Sequence, residues 1–129
     1  MDCGTEAAWG VLGRCAVCGG ILQPDYDDEN LEQLRYVQPG RGIDRYRGLM
    51  PLEYTPLPYL GEGDTPLLRA KRIGDSLGLS AVYLKNEGLN PSGAFKDCAG
   101  ATVAALALEA GASGVVSASS GNASSAIAA

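Results

Sequence analysis

The sequence predicts an α/β chain whose C-terminal half is a parallel β-α-β-α unit, preceded by a cysteine-bearing knob and a proline-rich arm. Three observations carry that expectation. Helical and strand-like segments alternate from residue 65 to residue 129, and glycines punctuate the joins between them. A balance of 46% hydrophobic to 19% charged residues over 129 positions is that of a chain able to bury a core, so disorder over most of the length is not expected.

The first zone, residues 1–28, holds Cys3, Cys15 and Cys18 together with Gly4, Gly19 and Gly20 and shows little helical periodicity. It reads as a small turn-rich knob. Cys15-x-x-Cys18 followed by a glycine pair has the spacing of half a zinc ribbon, whose closed site takes four ligands. Cys3 supplies a third thiol, but the chain contains no histidine, so the zone reads as a degenerate ribbon and bound zinc is not expected. The second zone, residues 29–64, opens with a short helical pattern, ENLEQLRYV, and continues into QPG, MPL and TPLP. Prolines at that density exclude a long helix or a central strand, which leaves an extended arm laid over the core.

The third zone, residues 65–129, carries the alternation. TPLLRAKRIGDSLG starts on a Thr-Pro pair suited to a cap and first turn, places Ala70, Ile73 and Leu77 at helical spacing and closes on Gly78, which predicts an amphipathic helix. AVYLKN reads as a strand, AFKDCAGATVAALALEAG as a long Ala-rich helix stopped by Gly111, GVVSAS as a second strand and GNASSAIAA as the beginning of another helix. Strands joined through a helix in this way are expected to lie parallel with a right-handed crossover.

The formal net charge of -5, from 10 Lys+Arg and 15 Asp+Glu, argues against nucleic acid or an anionic membrane as partner and favours small molecules or other proteins. No apolar run approaches the roughly 18 residues of a membrane span, and MDCGTEAAWG lacks the basic-then-apolar order of a secretory signal. Four cysteines without such a signal read as free thiols or metal ligands in a reducing compartment, so a cytoplasmic location is expected.

In an open α/β sheet, ligands bind where the loops leave the carboxyl ends of the strands. Two loops qualify: residues 87–94, leading into Phe95 and Lys96, and the run Ser119, Ser120, Gly121, Asn122. Both run into helix N-termini, which favour anions such as carboxylate or phosphate. Lys96 is out of place there, since a cation in a first turn faces an unfavourable dipole interaction of roughly 0.3–1 kcal/mol. The same field favours the neutral amine that a nucleophilic lysine needs. The plainer readings stand beside these: Lys96 in solvent, Ser119 and Ser120 as a helix cap, Gly121 and Asn122 as turn residues.

LGEGDTPLL, LKNEGLNPSGAFKD and SASSGNASSAIAA, in that order and spacing, resemble the fold type II pyridoxal-phosphate enzymes, and among them the threonine synthases. The resemblance covers residues 60–129, and the ribbon-like knob extends it weakly toward the N-terminus. It implies pyridoxal 5'-phosphate as cofactor, with Lys96 forming the internal Schiff base and later moving the α-proton. Phe95 is implied beside the cofactor ring, Asn122 on its ring hydroxyl, and Ser119, Ser120 and Gly121 at the carboxylate of a small amino-acid substrate. The implied reaction converts O-phosphohomoserine to threonine and phosphate. The family usually has Ser or Thr where this chain has Ala94, and Arg where it has Cys98.

The chain stops at Ala129, a turn or two into a helix, without the glycine-rich phosphate loop of that family, and reads as an N-terminal portion, inactive alone. A noncatalytic binding module derived from such an enzyme is the alternative, and threonine dehydratase or cysteine synthase are alternatives within the family. Two strands are too few to bury both faces of a doubly wound core, so exposed apolar surface and self-association are expected.

Overall fold

A computed structural model describes residues 3–7, 13–26, 31–32, 39–53 and 55–129. The helix expected over 29–37 lies almost wholly outside them. Between residues 13 and 22 the chain makes a miniature antiparallel turn: Arg14 bridges Ile21, the Cys15 amide donates to the Gly20 carbonyl (2.8 Å), and the Gly19 amide donates to the Cys15 carbonyl (2.9 Å). Gly19, at φ +72°, holds the left-handed conformation that closes it.

A 3₁₀ segment, Gly42–Leu49, follows, kinked at Tyr46. Gly42 sits against the loop around Glu62 so tightly that a Cβ there would lie 1.8 Å from the Glu62 carbonyl oxygen, and the adjacent Ile43 amide donates to that oxygen (3.0 Å). Beyond it the proline-rich stretch reaches the long helix, where Leu52 and Leu57 join Ala101, Ala105 and Leu106 in one buried cluster flanked by Ile43 and Met50. Burial of each of these leucines is worth about 1.5–3 kcal/mol. The Glu109 carboxylate fixes the same stretch by accepting the Glu53 and Thr55 amides (3.0 and 3.3 Å).

The remaining elements are β1 (Leu67–Arg69), α1 (Lys71–Leu77), β2 (Tyr83–Lys85), a 3₁₀ turn (Glu87–Leu89), α2 (Lys96–Glu109) and α3 (Asn122–Ala128). α1 ends where Gly78 turns left-handed at φ +67°, and α2 ends just before Gly111 at φ +66°.

Two expectations are corrected. The helix read from Thr65 starts only at Lys71, because residues 67–69 are taken by β1, which pairs antiparallel with β2 in the register Leu67↔Lys85, Leu68↔Leu84, Arg69↔Tyr83. Pro66, assigned to a first helical turn, is extended instead, and its carbonyl accepts the Asn86 amide (3.0 Å). The second correction concerns the parallel β-α-β-α unit. The only named sheet among the described residues is this antiparallel pair, and 114–119 forms no strand. Val116 is 98% exposed, so β-branched residues there meet no neighbour to pair with. Leu67, Leu68, Tyr83 and Leu84 are likewise exposed on both faces of the sheet. No helix among the described residues is long and apolar enough to cross a membrane.

Candidate functional site

The segment that delivers Lys96 is shaped by polar groups more than by apolar packing. Glu87, in the 3₁₀ turn after β2, accepts the Thr65 hydroxyl (2.7 Å) and the Asn90 side-chain amide (2.8 Å). Asn90 passes the linkage on by accepting the Gly63 amide (2.9 Å). Glu62 closes the facing loop on itself by accepting the Leu60 and Gly61 amides (2.8 and 3.1 Å). Glu62, Thr65, Asn90 and Asp97 are all buried, and no buried side-chain nitrogen or oxygen among the described residues lacks a partner. The two hydrogen bonds hold the Glu87 carboxyl below its ordinary value of 4.5, Thr65 contributing most.

Asp97 completes the turn. From the first turn of α2 it reaches back to accept the Ser92 amide (2.6 Å) and the Ser92 hydroxyl, while Gly93, at φ +81°, donates its amide to the Asn90 carbonyl (2.8 Å). An acidic group at that end of a helix also meets the favourable end of its dipole. The turn is thereby locked at both ends, and Lys96 emerges as the first residue of α2.

The lysine amine lies 4.8 Å from the centroid of the Phe95 ring, which is itself 59% exposed. A cation over an aromatic face at such a site gains about 0.5–1 kcal/mol. The chain has three lysines, and the other two are engaged: Lys71 pairs with Asp75 (2.6 Å), and Lys85 donates to the carbonyls of Gly63 and Thr65. Among the described residues, no carboxylate or carbonyl holds Lys96. Cys98, two positions on, is half-buried, and burial pushes its thiol up, with the carboxylates of Glu87, Glu62 and Asp97 adding to the effect.

The second sequence-predicted group lies at the start of α3. Ser119, Ser120, Gly121 and Asn122 are all exposed. Ser119 accepts the Gly121 amide through its hydroxyl (3.2 Å), the Ser124 hydroxyl donates to the Ser119 carbonyl, and the Ser117 and Ser124 hydroxyls are 2.8 Å apart. Ser119 thus braces its own turn, and no side-chain cap is made to α3.

α2 and α3 meet at Gly100, where a Cβ would lie 2.4 Å from the Ala126 carbonyl oxygen. Lys96 and Asn122 each stand four residues ahead of that contact, or about 6 Å of helical rise, which bounds their backbones to within about 20 Å of each other. Both helix starts therefore flank one crossing point. The third group, Cys3, Cys15 and Cys18, brings its sulfur atoms within 4.8 Å of one another. Sequence reasoning missed the hydrogen-bonded set Glu62, Thr65, Glu87, Asn90 and Asp97 as determinants of the site, although GEGDTPL and NEGLNPSG contain all but the last.

A family model described as pyridoxal-phosphate dependent enzyme matches residues 59–129, more than half of the chain. Similar proteins include the threonine synthase of Methanosarcina acetivorans, 35% identical over 99% of this chain and 32% of its own length. Those of Methanocaldococcus jannaschii (38% identical, covering 87% and 29%) and Synechocystis sp. (44%, covering 67% and 23%) are further examples. The chain spans about a third or less of the length of these relatives. No solved structure matches it.

Proposed function

Since the chain belongs to the pyridoxal-phosphate-dependent enzyme family, we propose that it carries the lysine-bearing part of a threonine-synthase-type lyase that converts O-phosphohomoserine and water to threonine and phosphate. The observation that supports this most is the state of the lysines. Lys71 and Lys85 are occupied by oxygen partners, while the Lys96 amine lies over the Phe95 ring and has no oxygen partner among the described residues.

Such an amine fits a group that presents an aldehyde, and an exposed amide and hydroxyls across the α2–α3 crossing fit a group with a ring hydroxyl and a substrate with a carboxylate. When bound, the cofactor supplies an electron sink for the bond changes at the substrate. The remaining work falls to residues of this chain. Lys96, at the mouth of the locked turn, takes up and returns the proton of the substrate α-carbon. Phe95 would flank the ring of the cofactor, and Asn122 would offer its amide to the ring hydroxyl. The Ser119 and Ser120 hydroxyls and the Gly121 amide receive the substrate carboxylate. Asp97 and Glu87 act at one remove by fixing the turn from which Lys96 projects.

The same reading makes the 13–22 turn part of a degenerate zinc-ribbon-like unit of residues 1–28. It makes 29–64 an arm across α2 and 65–129 the cofactor-binding portion. The substrate class is a small amino acid, the acidic balance argues against nucleic acid, and the location is cytoplasmic. The apolar faces of β1 and β2 favour self-association.

The test is chemical trapping. The folded chain is incubated with pyridoxal phosphate, reduced with borohydride and digested, and the modified peptide is identified by mass spectrometry. Label concentrated on Lys96 is the expected outcome. A folded sample with no label, or with label spread equally over Lys71, Lys85 and Lys96, overturns the assignment.

A further inference from the structure

We propose that Cys3, Cys15 and Cys18 form a three-thiolate zinc site with an open fourth position. The three sulfur atoms all lie within 4.8 Å of one another, and those of Cys3 and Cys15 are 3.7 Å apart. Tetrahedral zinc with bonds of about 2.3 Å to sulfur sets its ligand sulfurs about 3.8 Å apart. The closest pair already has that spacing, and the widest separation needs to contract by only about 1 Å to reach it. A disulfide requires about 2.05 Å between sulfurs, and all three cysteines are free thiols.

The surrounding backbone suits thiolate ligands. The Cys15 to Gly20 turn is pinned by its two main-chain hydrogen bonds, and the Gly20 amide donates to the Cys18 sulfur (3.4 Å). Such donors outside the ligand set orient a sulfur and offset its charge. The Cys3 thiol donates to the Thr5 hydroxyl oxygen (3.2 Å), and once Cys3 is a thiolate that hydroxyl is placed to donate in return. Three thiolates around a divalent ion leave a net single negative charge, and Arg14 is docked on this turn through the Gly19 carbonyl (2.9 Å). Cys15 is buried, whereas Cys3 and Cys18 face solvent, which leaves the fourth position accessible.

Among the described residues the group contains three ligands, and the chain has no histidine to add a fourth. The incomplete set that argued against zinc in the sequence is thus, among the described residues, the composition of an open site, completed by water or a small exogenous thiol or imidazole. This inference does not depend on the role of Lys96.

The experiment uses the whole chain, reduced with a phosphine that does not compete for metal. Cobalt(II) is titrated in and then displaced by zinc, with the metal content measured after buffer exchange. The expected result is one metal per chain and a tetrahedral cobalt spectrum with sulfur-to-metal charge transfer, whose ligand-field bands move when imidazole is added. Cys18→Ser, at an exposed position, is expected to weaken binding by at least about 10- to 100-fold and to lower the charge-transfer intensity. Cys98→Ser is expected to leave both unchanged. Metal content well below one per chain, or a cobalt spectrum indifferent to Cys18→Ser while circular dichroism shows the fold intact, overturns the proposal. A spectrum unmoved by imidazole overturns the open fourth position.

Discussion

Replacing Gly100 by Ala puts the α2–α3 contact to a test in which the sign of the effect decides. In a helix interior this change alone stabilises by about 0.5–1 kcal/mol, because alanine loses less conformational freedom on folding. Here the added methyl group would sit 2.4 Å from the Ala126 carbonyl oxygen, 2.8 Å from its carbon and 3.2 Å from its own Cβ. The obstacle is mainly backbone, so α3 has to move as a body by several tenths of an ångström or more. Forcing an extra methylene into such a contact costs about 1–3 kcal/mol. Because the obstacle is backbone at 2.4 Å, the cost falls in the upper half of that range, about 2–3 kcal/mol, and net of the propensity gain Gly100→Ala is expected to destabilise the chain by about 1–2.5 kcal/mol. The assay is urea unfolding followed by circular dichroism, with the exposed Ala99→Gly as a measure of the propensity effect alone, expected near 1 kcal/mol of loss. Both variants thus lose stability although their propensity effects are opposite. A Gly100→Ala chain as stable as the parent, or more stable, would refute the close crossing and with it the placement of Asn122 near Lys96.

Two further outcomes follow from the polar turn. The folded-state Glu87 carboxyl lies below its ordinary value of 4.5, so its contribution to stability is fully present above that value and is lost as pH falls through the lower folded value. Glu87→Gln should therefore be less stable than the parent near pH 7, with the difference shrinking below about pH 4 in urea unfolding at stepped pH; a constant difference would contradict the assignment. Asp97→Asn sets an amide against the Ser92 amide that Asp97 now accepts, a buried mismatch worth about 1–3 kcal/mol. Its pyridoxal-phosphate labelling at Lys96 should also slow at equal folded fraction, and an unchanged labelling rate would show that the turn does not position the amine.

What the sequence made legible was local. The α2 helix was readable because an alanine-rich run meets a glycine stop, and β2 because AVYLKN has strand propensity between turn signals. β1 was not readable, since Thr65-Pro66 is an equally good helix opening when judged by neighbours alone. The outcome was decided 22 residues away, where Glu87 takes the Thr65 hydroxyl, and at Asn86, whose amide takes the Pro66 carbonyl. For 114–119 the failure ran the other way. Strand propensity was present, but a strand exists only as one member of a pair, and among the described residues nothing lies beside Val115 and Val116 to pair with them.

The same distinction runs through the site. That Lys96 opens a helix behind a Pro-Ser-Gly turn could be read directly, but that its amine is the one lysine amine without an oxygen partner among the described residues depends on the positions of Asp75, Gly63 and Thr65, which spacing does not encode. The cysteines show it most sharply: Cys3 stands 12 residues from Cys15, yet their sulfurs meet at 3.7 Å. Acidic residues give no sequence sign of being buried, so the burial of Glu62 and Asp97 could not be read from their neighbours. Around Lys96, however, apolar burial is slight, with Ala94 the nearest buried hydrophobic residue and Phe95 exposed. A turn without a hydrophobic anchor takes its shape from hydrogen bonds, each worth about 0.5–1.5 kcal/mol, or about 1.5–3 where a charged group takes part. The geometry of the lysine thus rests in part on the ionised Glu87, whose carboxyl lies below its ordinary value, and the turn should loosen in acid before the Leu52–Leu57–Leu106 cluster gives way.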